Sequence, residues 1–431
     1  MRLAIILLAV LAFWPQPVFA EDNGKLLKVV VLTRHGLRAP TQDARILAMW
    51  SQKKWPEWPV GRGDLTPRGA RLVTDMWSEL GKMLSSSGLL AQAGCPGKDD
   101  VYVRADTDER TRMTASALLN GLAPECGLAY RVAKTDIDPL FHPVRAGLYH
   151  YDAMLAASQV LDSTKGGLER LQDEFSGTLA LLGNISGPPS SNLCARFALM
   201  PDCALSDLPN AISISPDGGS IRLVGSLGIA SSMAEIFLLE YGQWPDQPAG
   251  WGEVNASVLS QIMPVHTKIF DVVNRTPLVA WANGGALLAE MTAALMGEHA
   301  DQALNLARLV VFVGHDTNIA NIGGLLGLYW QPNGYPPNGT PPAGALFLEL
   351  WQKDGEQKVI ARFYSQTPQA LHTPFTDNQP DAYAPKRAAV FFGADQSPAT
   401  MRTQAFRALV RKVTENAPRT RQGQPLAEIT Q

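Results

Sequence analysis

The hydrophobic pattern of this chain changes character twice along its length. Nearly continuous apolar runs at Leu26–Leu32, Val101–Arg104, Leu309–Val313 and Ala345–Trp351, with another at Lys358–Tyr364, predict strands buried on both faces. The middle is different. Tyr149–Leu182 and Ser226–Tyr241 repeat apolar residues at helical spacing, and Gly-, Pro- and Ser-rich connections such as Gly187–Ser191 and Ser215–Ser220 separate them. This order predicts an α/β fold with a mostly parallel central sheet flanked by helices, built from 21–145 and 256–431. A mainly helical insertion domain, 146–255, is expected over the sheet's carboxyl edge, with the active-site cleft between the two. The Pro/Gly-rich Gln331–Gly344 segment reads as a surface excursion, and the polar stretch from Pro418 carries no specific signal. No internal repeat is found.

The first twenty residues have the three parts of a secretory signal peptide: Arg2, the apolar run Leu3–Trp14, and Val18-Phe19-Ala20, with cleavage expected before Glu21. A membrane anchor is the competing reading, but the run is short for a bilayer, and no other stretch reads as spanning. A soluble periplasmic protein is therefore expected, with no membrane association after cleavage. Losing Arg2 takes the formal charge from −3 to −4, which offers no global field for nucleic acid. Four cysteines in an exported chain suggest two disulfides, with three pairings open. No CxxC, HxH or HExxH motif points to a metal.

Candidate chemistry lies where strands end. Arg34-His35-Gly36-Leu37-Arg38-Ala39-Pro40 sets one imidazole between two guanidinium groups after the first strand. Two such forks hold phosphoryl oxygens, and an imidazole kept neutral by the surrounding positive charge is a competent nucleophile toward phosphorus. A solvated basic turn is the bland alternative. The Leu309–Val313 strand runs into Gly314-His315-Asp316-Thr317-Asn318, where Asp316 can protonate a departing alkoxide and His315 can donate to a phosphate oxygen. Asp316 as a simple helix cap is the competing reading. The Val101 strand breaks into Asp106-Thr107-Asp108-Glu109-Arg110, where Arg110 is a third clamp or a member of an ion-pair cluster.

The segments RHGLRAPT, DERTR and GHDTN, in this order, resemble the histidine acid phosphatases, the branch of the histidine phosphatase superfamily that includes periplasmic phytases and glucose-1-phosphatases. Leu65-Thr66-Pro67-Arg68-Gly69, Gly121-Leu122-Ala123-Pro124 and Glu235-Ile236-Phe237-Leu238-Leu239 extend the similarity over most of the chain. The resemblance implies His35 as the nucleophile that forms a phosphohistidine and Asp316 as the proton donor. It places Arg34, Arg38, Arg110 and His315 on the phosphate and Thr41 at the pocket edge. It favours the disulfides Cys95–Cys126 and Cys194–Cys203, and it implies neither metal nor cofactor. The expected partner is a small phosphomonoester substrate, and a monomer is expected.

Specificity is less legible. Gln42 stands where the phytase pattern reads lysine, whereas Gly36 and Thr317 match phytase-like members rather than glucose-1-phosphatases. A phytase-like acid phosphatase is expected, with a glucose-1-phosphatase or broad sugar phosphatase as the alternative. A phosphate-binding protein without turnover is the alternative of another class. Arg45, Lys53, Lys54 and Arg62 read either as an electropositive rim or as a solvated face, and Trp50, Trp55 and Trp58 as packing anchors. Glu235, on the helical insertion, reads either as part of a polar stripe on an amphipathic helix or as a residue that reaches over the active site. His142, His150, His266, His299 and His372 have no companion motif and receive no role.

Overall fold

The structure, a computed structural model, describes residues 23–147, 151–216, 220–376, 380–393, 397–415 and 428–430. The expected signal peptide, most of the polar tail, Tyr149 and His150 lie outside them.

In chain order the first part of the molecule contains β1 (Lys25–Arg34), α1 (Ala44–Trp50), α2 (Pro67–Ser86), β2 (Val101–Ala105), α3 (Glu109–Leu122) and β3 (Arg131–Ala133). The middle contains α4 (Ala153–Ser163), α5 (Gly167–Glu174), α6 (Ser176–Ser186), α7 (Ser191–Arg196), β4 (Ala211–Ile214), β5 (Ile221–Val224), α8 (Ser226–Gln243) and α9 (Ala256–Asn274). The last part runs through α10 (Pro277–Met296), α11 (Gln302–Leu306), β6 (Leu309–Gly314), α12 (Asp316–Leu326), β7 (Leu328–Trp330), β8 (Ala345–Lys353) and β9 (Glu356–Ser365). Helix α13 (Pro368–His372), short strands and the helix Thr403–Thr414 follow.

Strands β1, β6, β2 and β3 lie side by side and parallel, drawn from both ends of the described chain. Their register aligns the carboxyl ends: Arg34 is opposite Gly314, and Ala105 is opposite Val313. Backbone bonds continue past the strands, from His35 N–H to Gly314 C=O at 2.9 Å and from Asp106 N–H to Val313 C=O at 3.0 Å. Three loops from distant parts of the sequence thus leave the sheet together. Apolar side chains cover both faces, with Val30, Leu32, Val310 and Phe312 in one buried cluster and Val29, Val31, Val311 and Val313 in another. That two-sided burial is why these strands read as continuous rather than alternating hydrophobic runs.

Beyond β1 the sheet turns antiparallel, through β8 and then β9. This corrects the reading of 331–344 as a surface excursion. Because β8 runs against β1, the segment that leads into it arrives at β1's carboxyl end: Ala343 N–H bonds His35 C=O, and Arg34 N–H bonds Gly344 C=O, both at 2.9 Å. Tyr335, Asn338 and Thr340 are buried there.

Helices α4, α6, α8 and α9 share one apolar cluster with β5, and α8 lies over the strand ends. Close approach needs small residues: a Cβ on Gly242 of α8 would come within 2.3 Å of Leu37 Cδ1. Trp55 stacks near Phe237 and Trp251, and Trp58 lies against Trp244, so these two tryptophans are packing anchors. Helix α10 overturns the expectation that no later stretch is long and apolar enough to cross a bilayer, since its 20 residues are. It is a core helix here, with Leu287, Leu288, Met291 and Leu295 buried against strands and α12. Disulfides join Cys95 to Cys126 and Cys194 to Cys203, with Cα separations of 5.4 and 5.9 Å. The first ties the chain before β2 to the end of α3, the helix that carries Arg110.

Candidate active site

At the end of β1, His35 is buried with its Nδ1 2.9 Å from the Gly36 carbonyl. A carbonyl only accepts, so Nδ1 carries the proton and Nε2 keeps its lone pair. Burial, reinforced by Arg34, Arg38 and Arg110, holds the imidazole well below its ordinary pKa. That favours the neutral ring, the form in which an imidazole is nucleophilic. Gly36 N–H in turn donates to Thr114 Oγ1 of α3 at 2.9 Å, fixing the turn to a second element.

The guanidinium groups around it are held by contacts that leave part of each unused. Arg34 donates from Nη1 to Thr340 C=O at 2.5 Å and from Nη2 to Glu235 Oε1, and it lies 3.1 Å from Asp316 Oδ2. Arg38 donates to Ala39 C=O at 3.0 Å and sits 3.7 Å from the same Glu235 oxygen. Burial beside Arg34 and Arg110 pulls it down to about 10, against the pull of Glu235, and it remains charged. Arg110 pairs with Asp108 at 2.5 Å and lies 3.4 Å from His315 Nδ1. The Nε atoms of all three arginines are buried without an acceptor among the described residues. An anion with several oxygens satisfies such donors.

On the β6 side, Asp316 is the first residue of α12 and accepts the Thr317 N–H at 2.8 Å, but the N-cap is His315, whose N–H is taken by Asn318 Oδ1 at 2.9 Å, so Asp316 is not the helix cap. Its carboxylate also faces the cluster around His35, with Oδ2 3.1 Å from Arg34 Nη2. Burial raises its carboxyl, but Arg34, Arg38, His315 and His266 outweigh that and hold it at about 2. His315 lies edge-on to His35, with ring centroids 5.6 Å apart. Its Nε2 is 2.6 Å from Asp106 Oδ2, which also takes His142 Nε2 at 2.9 Å. Those two bonds hold Asp106 well below the usual carboxylate range despite its burial. Burial lowers His315, although Asp106 opposes it. Ligand-type atoms of Asp106, Asp108, His142 and His315 lie within 4.8 Å of one another. Hydrogen bonds already use the three atoms of Asp106 and the histidines, and Arg110 sits on Asp108.

The structure therefore brings Arg34, His35, Arg38, Arg110, His315 and Asp316 together. Thr41 lines the adjoining cleft with Arg62, His142 and Thr317. Of the expected rim, Lys53 instead donates to Ile185 C=O at 2.6 Å, and Lys54 pairs with Glu57 on the surface.

Several contributors were given no role in the site by the sequence, or one reading among two. Glu235 is not on a polar stripe: α8 has no polar face, and the carboxylate is buried under Arg34 and Arg38, with His266 Nε2 at 3.6 Å. Burial pushes Glu235 up, but Arg34, His266 and Arg38 together hold it below its ordinary value. A lone carboxylate within the apolar run Ala234–Leu239 was the available signal, because a buried charge requires a partner. His142 and His266 escaped notice because their partners, Asp106 and Glu235, are distant in sequence.

Comparison with known proteins gives a consistent picture. The family model for the histidine phosphatase superfamily (branch 2) matches residues 25–168 and 246–365. Phytase AppA of Escherichia coli (strain K12) is 34% identical over 386 residues, covering 85% of this chain and 87% of that protein. A glucose-1-phosphatase of Salmonella typhimurium is 26% identical over 70% of this chain and 71% of its own. Among solved structures, Hafnia alvei phytase in complex with myo-inositol hexakis sulphate superposes with a TM-score of 0.83 at 33% identity, covering 93% of this chain and 100% of that one. With residues 25–168 and 246–365 matched and the strand-end loops converging on His35, this protein belongs to branch 2 of the histidine phosphatase superfamily.

Proposed function

We propose that the protein is an exported acid phosphatase with phytase-like specificity, working through a phosphohistidine at His35. The observation that carries this reading is the 2.9 Å contact of His35 Nδ1 with the Gly36 carbonyl, which assigns the proton to Nδ1 and leaves Nε2 free among three arginines with unsatisfied N–H groups. The phosphoryl group of a monoester docks on Arg34, Arg38, Arg110 and His315. Nε2 attacks phosphorus, the P–O ester bond breaks, and the alkoxide takes the proton of Asp316. Water then attacks the phosphohistidine while the Asp316 carboxylate accepts its proton, and the N–P bond breaks to restore neutral His35. Gly36 C=O stabilises the charge that the imidazole carries while phosphorylated.

With its carboxyl held at about 2, Asp316 on its own is ionised in mild acid. Substrate changes its balance, because phosphate charge offsets Arg34 and Arg38, the two groups that hold its carboxyl down. The proton enters with the monoanion of the ester, whose second pKa is about 6. Activity should therefore fall as pH rises through about 6, and it should persist below the pH at which an ordinary histidine protonates. The alternative phosphate-binding reading requires neither a bare imidazole nor a carboxylate beside it.

Specificity for phytate draws support from the related phytases, although Gln42 lacks the expected charge. A chain of this kind is exported through the leader 1–20, and two disulfides suit an oxidising compartment. The domain division follows the same reading, with α9 joining the insertion's apolar cluster. The test is kcat/KM against pH for phytate, glucose 1-phosphate and p-nitrophenyl phosphate, with and without chelator. Chelator-resistant turnover with an acidic optimum and preference for phytate is expected; an optimum above neutrality or chelator inhibition overturns the mechanism.

A further inference from the structure

Between the 331–344 segment and helices α8 and α9 lies a cavity of about 10 Å³, the size of a single water molecule. Arg34, Glu235, His266 and Tyr335 line it, with Leu238 and Met263 among its apolar walls, and all six side chains are buried. The state of each polar group follows from its contacts. Tyr335 Oη has no partner among the described residues, and burial pushes the phenol far above its ordinary pKa, so it keeps its proton. Glu235 turns Oε1 to Arg34 and, at 3.7 Å, to Arg38, whereas its buried Oε2 has no donor among the described residues. His266 brings Nδ1 to 3.1 Å from the Ser231 carbonyl, which only accepts, so the proton is assigned to Nδ1 and Nε2 keeps its lone pair. Burial favours that neutral ring against the pull of Glu235 and Asp316. Yet Nε2 lies 3.6 Å from Glu235 Oε2. Two acceptors thus face one another across a gap too long for a hydrogen bond, and an unused hydroxyl donor lines the same cavity.

A water molecule matches this set, because it brings two donors for the two acceptors and an oxygen for the hydroxyl. We propose that the cavity binds one ordered water, which donates to Glu235 Oε2 and His266 Nε2 and accepts from the Tyr335 hydroxyl, and that Tyr335 thereby positions the carboxylate that holds Arg34 and Arg38. Tyr335 touches no reacting atom; it acts through the water and Glu235. Its place is set by the sheet, since β8 runs antiparallel to β1 and brings the 331–344 segment across the end of β1. Arg34 Nη1 also donates to Thr340 C=O of that segment. One stretch of chain therefore holds the guanidinium directly and its counter-ion through the water. The positioning role rests on the phosphatase reading above, whereas the water does not.

The test begins with the water. A crystal structure of the wild-type protein should show one solvent peak about 2.8 Å from Tyr335 Oη, Glu235 Oε2 and His266 Nε2. The ¹⁵N shifts of the His266 ring should report Nδ1–H beside an unprotonated Nε2 in mild acid. An empty cavity, a direct Tyr335–Glu235 hydrogen bond or an imidazolium at His266 overturns the proposal. Kinetics of Tyr335→Phe then test the positioning role. Besides Tyr335, the titratable and charged groups facing Glu235 are Arg34 and Arg38 after β1, His266 on α9 and Asp316 on α12, and the variant keeps all four. Loss of a donor to the charged form raises the Glu235 pKa. Glu235 must be ionised to hold the arginines, so activity is lost as pH falls through that pKa, and the acid limb of kcat/KM should move up by about half a pH unit. Near the optimum, kcat/KM should fall about fivefold for glucose 1-phosphate and p-nitrophenyl phosphate alike, since no leaving group is involved. A lower kcat with an unmoved acid limb, the mark of a packing defect, overturns the positioning role, as does an unchanged enzyme. If wild type turns over neither ester, the phosphatase reading fails while the crystal structure and the ring shifts still decide the water.

Discussion

The two halves of the active site are built on opposite principles. The sheet half supplies Arg34, His35, Asp106, Arg110, His315 and Asp316 from loops at the aligned ends of β1, β2 and β6, where the backbone ladder sets their relative positions. The helical half supplies Glu235 and His266 from α8 and α9, inside an apolar layer. Polar side chains at strand ends converge on a cleft. The carboxylate on α8 meets only protein, so its role is to hold Arg34 and Arg38 in place and keep them charged. The contrast teaches that, on the proposed mechanism, one half performs chemistry and the other positions it, so each should fail differently when altered.

The largest effect is expected in the sheet half. His35→Ala should lower turnover by about 10⁵-fold or more, as removal of a nucleophile does elsewhere. Thermal unfolding should move little, because Arg34 keeps its pairing with Glu235. Asp316→Asn should come next, slowing esters with poor leaving groups by about 10³-fold and p-nitrophenyl phosphate far less, since its leaving group needs little protonation. Equal losses on both esters would remove Asp316 as donor.

Glu235→Gln tests the helical half and should be felt in both stability and rate. Breaking a buried charge pair costs about 3 kcal/mol, visible in chemical denaturation. A loss of about tenfold to 100-fold in kcat/KM should be similar for all leaving groups, because the arginines rather than the proton donor are disturbed. A leaving-group dependence like that of Asp316→Asn would erase the distinction between the halves. The smallest effect is expected from His142→Asn, which removes one of two histidines on Asp106 while His315 keeps its own bond. About a twofold to tenfold change in kcat/KM is expected.

The same contrast explains what could be read before the fold was known. His35 and Asp316 announce themselves because each follows a continuous apolar run, and a polar cluster at a buried strand's end has few purposes other than binding. Arg110 was legible for the same reason. Glu235 was not, since helical periodicity assigns a face only when the helix has one, and α8 is buried nearly all round. The 331–344 segment misled because Pro and Gly mark loops without saying which side of a sheet they cross. Its burial follows from β8 running antiparallel to β1, a pairing that local sequence does not encode. Helix α10 shows the converse, a span long enough for a membrane whose apolar residues are used by a protein core.

The most direct test of the central claim is rapid-quench trapping with ³²P-labelled ester in acid, followed by peptide mapping under alkaline conditions that preserve phosphohistidine. Label on His35 Nε2, accumulating with p-nitrophenyl phosphate in Asp316→Asn because the second step also uses Asp316, is the expected result. Turnover without label on that nitrogen, or label on any other residue, would contradict it.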